Sequence, residues 1–116
     1  MTEINEDMNM ADRYLNSLVE DLPKDLIVHG YLNLNGHPIQ QLPEKLVVDR
    51  WLNIQNCQNL KTIPPTITVG EDIYCDKSHI DTISEEDLPL YVNFSFSKGI
   101  HEYYTEKLKN LLSKEV

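Results

Sequence analysis

The chain is poor in several things that would narrow its function quickly. It has two cysteines, four glycines and one tryptophan in 116 residues. Cys57 and Cys75 form no CxxC pair and are too few for a disulfide framework. No apolar run approaches the roughly 20 residues of a membrane-spanning helix. The opening Met1-Thr2-Glu3-Ile4-Asn5-Glu6-Asp7 is acidic where a secretory leader is basic and then apolar. A reducing, cytoplasmic setting without a membrane is therefore expected, and the Asn93-Phe94-Ser95 sequon is read as chance. Positive charge is also scarce: Lys+Arg 10 against Asp+Glu 19, a formal net charge of −9. A protein that grips a phosphate backbone needs a Lys/Arg surface, so direct nucleic-acid binding is not expected. GxSxG, Walker, GxGxxG, HExxH and EF-hand patterns are all missing. Cys75, Asp76 and His79 could share a metal only if Cys75 and Asp76 faced the same way, and strand alternation sends them to opposite faces. The expectation is a protein that is not an enzyme and holds no metal or cofactor.

What the chain does contain is a repeat. Residues 22–41 read LPKDLIVHGYLNLNGHPIQQ, 42–62 read LPEKLVVDRWLNIQNCQNLKT and 63–83 read IPPTITVGEDIYCDKSHIDTI. Leu22-Pro23, Leu42-Pro43 and Ile63-Pro64 open the units. Leu26/Val28, Leu46/Val48 and Ile67/Val69 follow, then Leu32/Leu34, Leu52/Ile54 and Ile73/Cys75. Ile39, Leu60 and Ile80 close them. Leu88-Pro89 opens a shortened fourth unit, with Val92/Phe94 as its strand pair and Ile100 closing it. One such unit cannot bury its own apolar face, so successive units must stack.

This pattern resembles leucine-rich repeats, whose signature runs LxxLxLxxNxL or LxxLxLxxCxxL. Leu52-Asn53-Ile54-Gln55-Asn56-Cys57-Gln58-Asn59-Leu60 follows the latter part of the cysteine form. The LP openings and short period look most like bacterial and bacteriophage repeats reading LPxxLxVxxxLxL. His37, Cys57, Ser78 and Ser97 stand where the repeat turn usually carries Asn. The resemblance covers residues 22–100. It implies parallel strands about 4.8 Å apart with their leucines inside. A 20- or 21-residue unit is too short for a long helix on the return side, where proline favours extended or 3-10 backbone.

The ends of a solenoid need covers. Ala11, Tyr14, Leu15, Leu18 and Val19 lie on one helical stripe, and Tyr104, Leu108, Leu111 and Leu112 form a second behind Ile100. The expected fold is thus α/β: a short leucine-rich-repeat-like solenoid of parallel strands with helical caps at both ends. It occupies a single domain, 1–116, with an N-terminal cap helix over 1–21, repeats over 22–100 and a C-terminal cap helix over 101–116.

If the LxL residues point inward, their neighbours line the open face of the sheet. These are Tyr31, Asn33 and Asn35; Trp51, Asn53 and Gln55; Asp72, Tyr74 and Asp76; and Tyr91, Asn93 and Ser95. Tyr and Trp offer large contact areas with few torsions to freeze and dominate binding hot spots. An ordinary sheet face, with Asn ladders bonding along the stack, is the plainer alternative. Leucine-rich repeats commonly use this face for partners, so the resemblance implies a protein-interaction module. Acidic residues gather in 1–21, six against Arg13, and in 71–87, seven against Lys77. That clustering motivates a second reading: an acidic phage-type inhibitor, anti-restriction or anti-CRISPR in manner, occluding a basic, nucleic-acid-binding enzyme by charge mimicry. Cys57 at a turn and Cys75 in a core column read as small buried apolar residues.

Overall fold

The computed structural model describes residues 2–11 and 22–114. Its strands are β1 (Thr2–Ile4), β2 (Met8–Asn9), β3 (Leu26–Val28), β4 (Leu32–Asn33), β5 (Val47–Val48), β6 (Leu52–Asn53), β7 (Thr68–Val69) and β8 (Ile73–Tyr74). Helix α1 (Lys77–Asp81), a 3-10 turn over Leu88–Tyr91 and helix α2 (Lys98–Ser113) complete it. The strands form two four-stranded parallel sheets, ordered β1-β3-β5-β7 and β2-β4-β6-β8. Each rung contributes one strand to either sheet, with a short bend between.

Equivalent residues stand directly above one another. Met8, Leu32, Leu52 and Ile73 share one column of the second sheet, and Val28, Val48 and Val69 share one in the first. Leu32, Leu34, Ile39, Leu46, Leu52, Ile54 and Ile73 are all buried, as are Cys57 and Cys75. Burial pushes the Cys57 thiol up to about 11 and the Cys75 thiol up to about 12, which leaves both protonated and unreactive near neutrality. The LP openings have a specific job. The carbonyls of Pro23, Pro43 and Pro64 accept from the N–H groups of Leu26, Leu46 and Ile67, closing the same turn in three rungs. Proline's missing donor matters little there, because this return segment belongs to no strand.

At the far corner the chain turns through left-handed backbone at Gly36 (φ 75°) and Asn56 (φ 62°), two residues past Leu34 and Ile54. Rungs also approach closely where the sheets meet: a Cβ on Gly70 would lie 2.1 Å from the Asp49 carbonyl oxygen. Behind this corner the Cys57 Sγ–H donates to the Leu34 carbonyl at 2.9 Å, and the buried His79 Nε2 bonds the Cys57 carbonyl at 3.2 Å. The His79 Nδ1 accepts from the Asp76 N–H at 3.0 Å. These two partners make Nδ1 the acceptor and Nε2 the donor of the ring.

Three expectations are corrected by the structure. Residues 2–11 are not the start of a cap helix. They form a further rung, β1 and β2, paired in parallel with β3 and β4, while residues 12–21 of the expected helix lie outside the described residues. The fourth strand pair is not Val92/Phe94, because Ile73 bridges to Phe96 and Val92 is exposed at the end of the 3-10 turn. The additional residues of this last rung lie after Ile83, in the stretch that holds the 3-10 turn over Leu88–Tyr91, so the strand forms later than a constant period would place it. Finally, Leu112 is exposed and does not belong to the buried stripe of α2.

A helix follows the last rung at the C-terminal end. The buried Tyr104 hydroxyl donates to the Leu88 carbonyl at 2.6 Å, and its ring meets Phe96 at 5.4 Å. Tyr103 and Lys107 both bond Asp81, holding α2 to α1. Those bonds, led by the one from Lys107, hold the Asp81 carboxyl below its usual range. Among the described residues no helix is long and apolar enough to cross a membrane.

Two measurements check this architecture. Ile54→Ala removes a fully buried rung residue and should cost about 2–5 kcal/mol in denaturant unfolding, whereas Val92→Ala should change stability by under about 0.5 kcal/mol. His29 lies between rungs, its Nδ1 2.8 Å from the Asp49 carboxylate and its Nε2 3.8 Å from Glu3. The hydrogen bond that its ring N–H donates to the Asp49 carboxylate leads the causes that raise its pKa above 6.5. A raised folded-state value contributes stability that is complete below the unfolded pKa and disappears as pH rises through the folded one. Wild type should therefore be more stable than His29→Gln at pH 5.5, with the difference shrinking by pH 9; a pH-independent difference would contradict the contact.

Candidate interaction face

Alternation in β4, β6 and β8 sends one set of side chains out of the second sheet, and the outermost column can now be followed rung by rung. It begins with Asp7, whose Oδ1 accepts the Tyr31 N–H at 3.0 Å, and continues through Tyr31, Trp51 and Asp72. It ends at Ser95, whose hydroxyl donates to the Asp72 Oδ1 at 2.7 Å. Stacked rungs bring Tyr31 and Trp51 ring to ring, with centroids 4.1 Å apart and planes 6° from parallel. Tyr74 comes from the neighbouring column and meets Trp51 edge to face at 6.1 Å and 85°. All three rings are half-buried. No hydrogen bond among the described residues engages the Tyr31 or Tyr74 hydroxyl or the Trp51 indole N–H.

The amide column behaves differently. Asn9, Asn33 and Asn53 use their Oδ1 atoms to accept the N–H two residues on, from Ala11, Asn35 and Gln55, at 3.1, 3.0 and 2.9 Å. Each asparagine thereby ends its own strand and satisfies a donor at the turn. Tyr74 occupies this column in the next rung and cannot accept in that way. The equivalent N–H, that of Asp76, is taken by His79 instead, and the chain enters α1. Asn35 accepts from Asn56 Nδ2 at 3.0 Å, and the Asp76 carboxylate accepts the Asn56 N–H at 2.8 Å. Gln55 is half-buried beside them.

The fourth rung departs from expectation. Tyr91 is only 3% exposed. It lies in the 3-10 turn, packs edge to face on Phe94 at 5.1 Å and donates its hydroxyl to the Ile63 carbonyl. Burial pushes its phenol up to about 12. It is a core residue because Leu88-Pro89-Leu90-Tyr91 curls under the last rung instead of running into a strand. Asn93 is exposed, but it borders a shallow groove of about 440 Å³ between Phe96, Lys98 and His101 and stands apart from the aromatic row. The face thus keeps Tyr31, Asn33, Asn35, Trp51, Asn53, Gln55, Asp72, Tyr74 and Asp76. It loses Tyr91 and Asn93, and Ser95 moves into the column of Trp51.

The residues that the repeat analysis missed are Asp7 and Asn9. Their signal was present, since Ile4 precedes Met8-Asn9-Met10 by the same interval at which Val28 precedes Leu32-Asn33-Leu34.

Charge is uneven along this face. Arg50, at the bend before Trp51, lies 3.9 Å from Asp7 and 3.8 Å from Glu71. Asp72 and Asp76 take part in no ion pair among the described residues. Comparison with family models, with curated proteins and with solved structures finds no match.

The role of the asparagine column is open to direct test. Asn53→Ala strands the Gln55 N–H and should cost about 1 kcal/mol in unfolding, while Asn53→Asp, which keeps an acceptor, should cost less than half of that. Equal losses for the two variants would contradict the turn-closing role.

Proposed function

We propose that this protein is a non-enzymatic interaction module that engages a protein partner through the open face of the second sheet. Trp51 is the central anchor, with Tyr31 and Tyr74 beside it. The observation that carries this reading is the row of three aromatic rings whose polar tips have no partner among the described residues. Rings of this kind, rigid, amphipathic and already fixed by their neighbours, lose little entropy when a partner covers them. The asparagines support the platform rather than extend it, because their acceptors are engaged in the turns. Kinship with leucine-rich repeats and a cytoplasmic location belong to the same proposal, supported by the LP openings, the LxL core pairs and the two buried, protonated thiols.

A second reading is favoured by Asp72 and Asp76, which pair with no cation among the described residues, together with the net charge of −9. On that reading the module is an acidic inhibitor that occludes a basic, nucleic-acid-binding enzyme. One experiment addresses both. The tagged protein, incubated in extract of its native cells, should retain a stoichiometric protein partner. Trp51→Ala and Tyr74→Ala should each reduce that retention about tenfold or more without altering the circular dichroism spectrum. Undiminished retention by both variants would contradict the interaction face. Exposed charges are screened beyond about 8 Å at physiological ionic strength, so an inhibitor acting by charge mimicry should release its partner steeply as salt is raised. An aromatic anchor should hold.

A further inference from the structure

The proposed face also indicates what chemistry its partner carries. Asp72, Tyr74 and Asp76 leave one rung on the same side at alternate positions, roughly 7 Å apart. Two carboxylates therefore flank an aromatic ring, with Trp51 behind it. Their hydrogen-bond donors are neutral: the Ser95 hydroxyl for Asp72 and the Asn56 N–H for Asp76. Two cations next to these residues in the sequence, Arg50 before Trp51 and Lys77 after Asp76, are engaged elsewhere. Arg50 lies between Asp7 and Glu71, and the Lys77 ammonium sits 5.2 Å over the Tyr103 ring. Tyr74 is turned 85° from Trp51 and does not continue the Tyr31–Trp51 stack. That is its only ring contact among the described residues, so at least one of its faces meets no other ring of those residues.

From this we infer that the Asp72-Tyr74-Asp76 rung receives an arginine side chain from an extended basic segment of the partner protein, the guanidinium lying on Tyr74 between the two carboxylates. Arginine fits where lysine does not. Its planar group stacks on an aromatic face, is weakly hydrated and presents forked donors to carboxylates on either side, whereas an ammonium is a compact, strongly hydrated point charge. A phosphate-bearing ligand is disfavoured by the same two carboxylates. This inference rests on the interaction-face reading and adds the identity of the side chain recognised.

Trp51 is the sole tryptophan, so its emission reports directly on the site. The probes are two capped pentapeptides, Gly-Arg-Gly-Arg-Gly and the same sequence with lysine in place of arginine, titrated into the full chain. The arginine peptide should change Trp51 emission saturably and bind at least about tenfold more tightly than the lysine peptide. Asp72→Asn and Asp76→Asn keep acceptors for Ser95 and Asn56, and each should weaken the arginine peptide about tenfold with an unchanged thermal midpoint. Equal binding of the two peptides would overturn the inference, since charge alone would then account for it. So would arginine-peptide binding unaffected by either substitution, or no saturable response to either peptide. If a cellular partner is retained through Trp51 while Asp72→Asn and Asp76→Asn leave that retention intact, the guanidinium site falls and the interaction face stands. Retention unaffected by Trp51→Ala and Tyr74→Ala removes the face itself.

Discussion

The parallel hydrogen-bonded ladder between rungs is the constraint on which everything else rests. Leu32 N–H donates to Trp51 O, Leu52 N–H to Asp72 O and Ile73 N–H to Ser95 O, at 3.0, 3.1 and 2.7 Å. Because parallel neighbours stand in register, a side chain that points inward in one rung does so in the next. The buried columns and the outward columns are two consequences of that single register. A slip of one residue would send Leu52 to solvent and Trp51 into the core, so the aromatic face and the hydrophobic interior are secured together.

The same register explains why the outward residues divide into two kinds. Stacking at strand spacing brings Tyr31 and Trp51 close enough to share their ring faces, which preorganises them without help from the core. The asparagines one column over are held by a different need: a strand that ends at a turn leaves an N–H without a ladder partner, and a side-chain carbonyl two residues back can accept it. Where Tyr74 replaces asparagine, that need is met by His79, and the chain turns into a helix. One substitution in the repeat thus both adds a ring to the face and changes the course of the backbone. It also sets Tyr74 between Asp72 and Asp76, where no cation of the described chain neutralises the charge.

Much of this was legible in the residues themselves. The LP openings and LxL pairs placed β3 to β8, the inward columns and the central part of the face, because their spacing is nearly constant and their apolar residues are strong markers. Failure came at both ends of the repeat. Met8-Asn9-Met10 uses methionine where the later rungs use leucine, and Ala11 lies on an apparent helical stripe with the residues after it, so helical periodicity outweighed a single weak rung. At the other end, Val92, Phe94 and Phe96 share the parity of one strand. Periodicity could not say which of them would meet Ile73, and only the packing of Tyr91 beneath Ile63 decides it. The engaged asparagines and the role of His79 could not be read from spacing, since both depend on hydrogen bonds at turns.

Nuclear Overhauser contacts in solution test the central claim most directly. The account predicts contacts between the Tyr31 and Trp51 rings, and methyl contacts running in order from Met8 to Leu32, Leu52 and Ile73. Absence of the ring contact, or Leu32 methyls that meet neither Met8 nor Leu52, would contradict the register and with it the face.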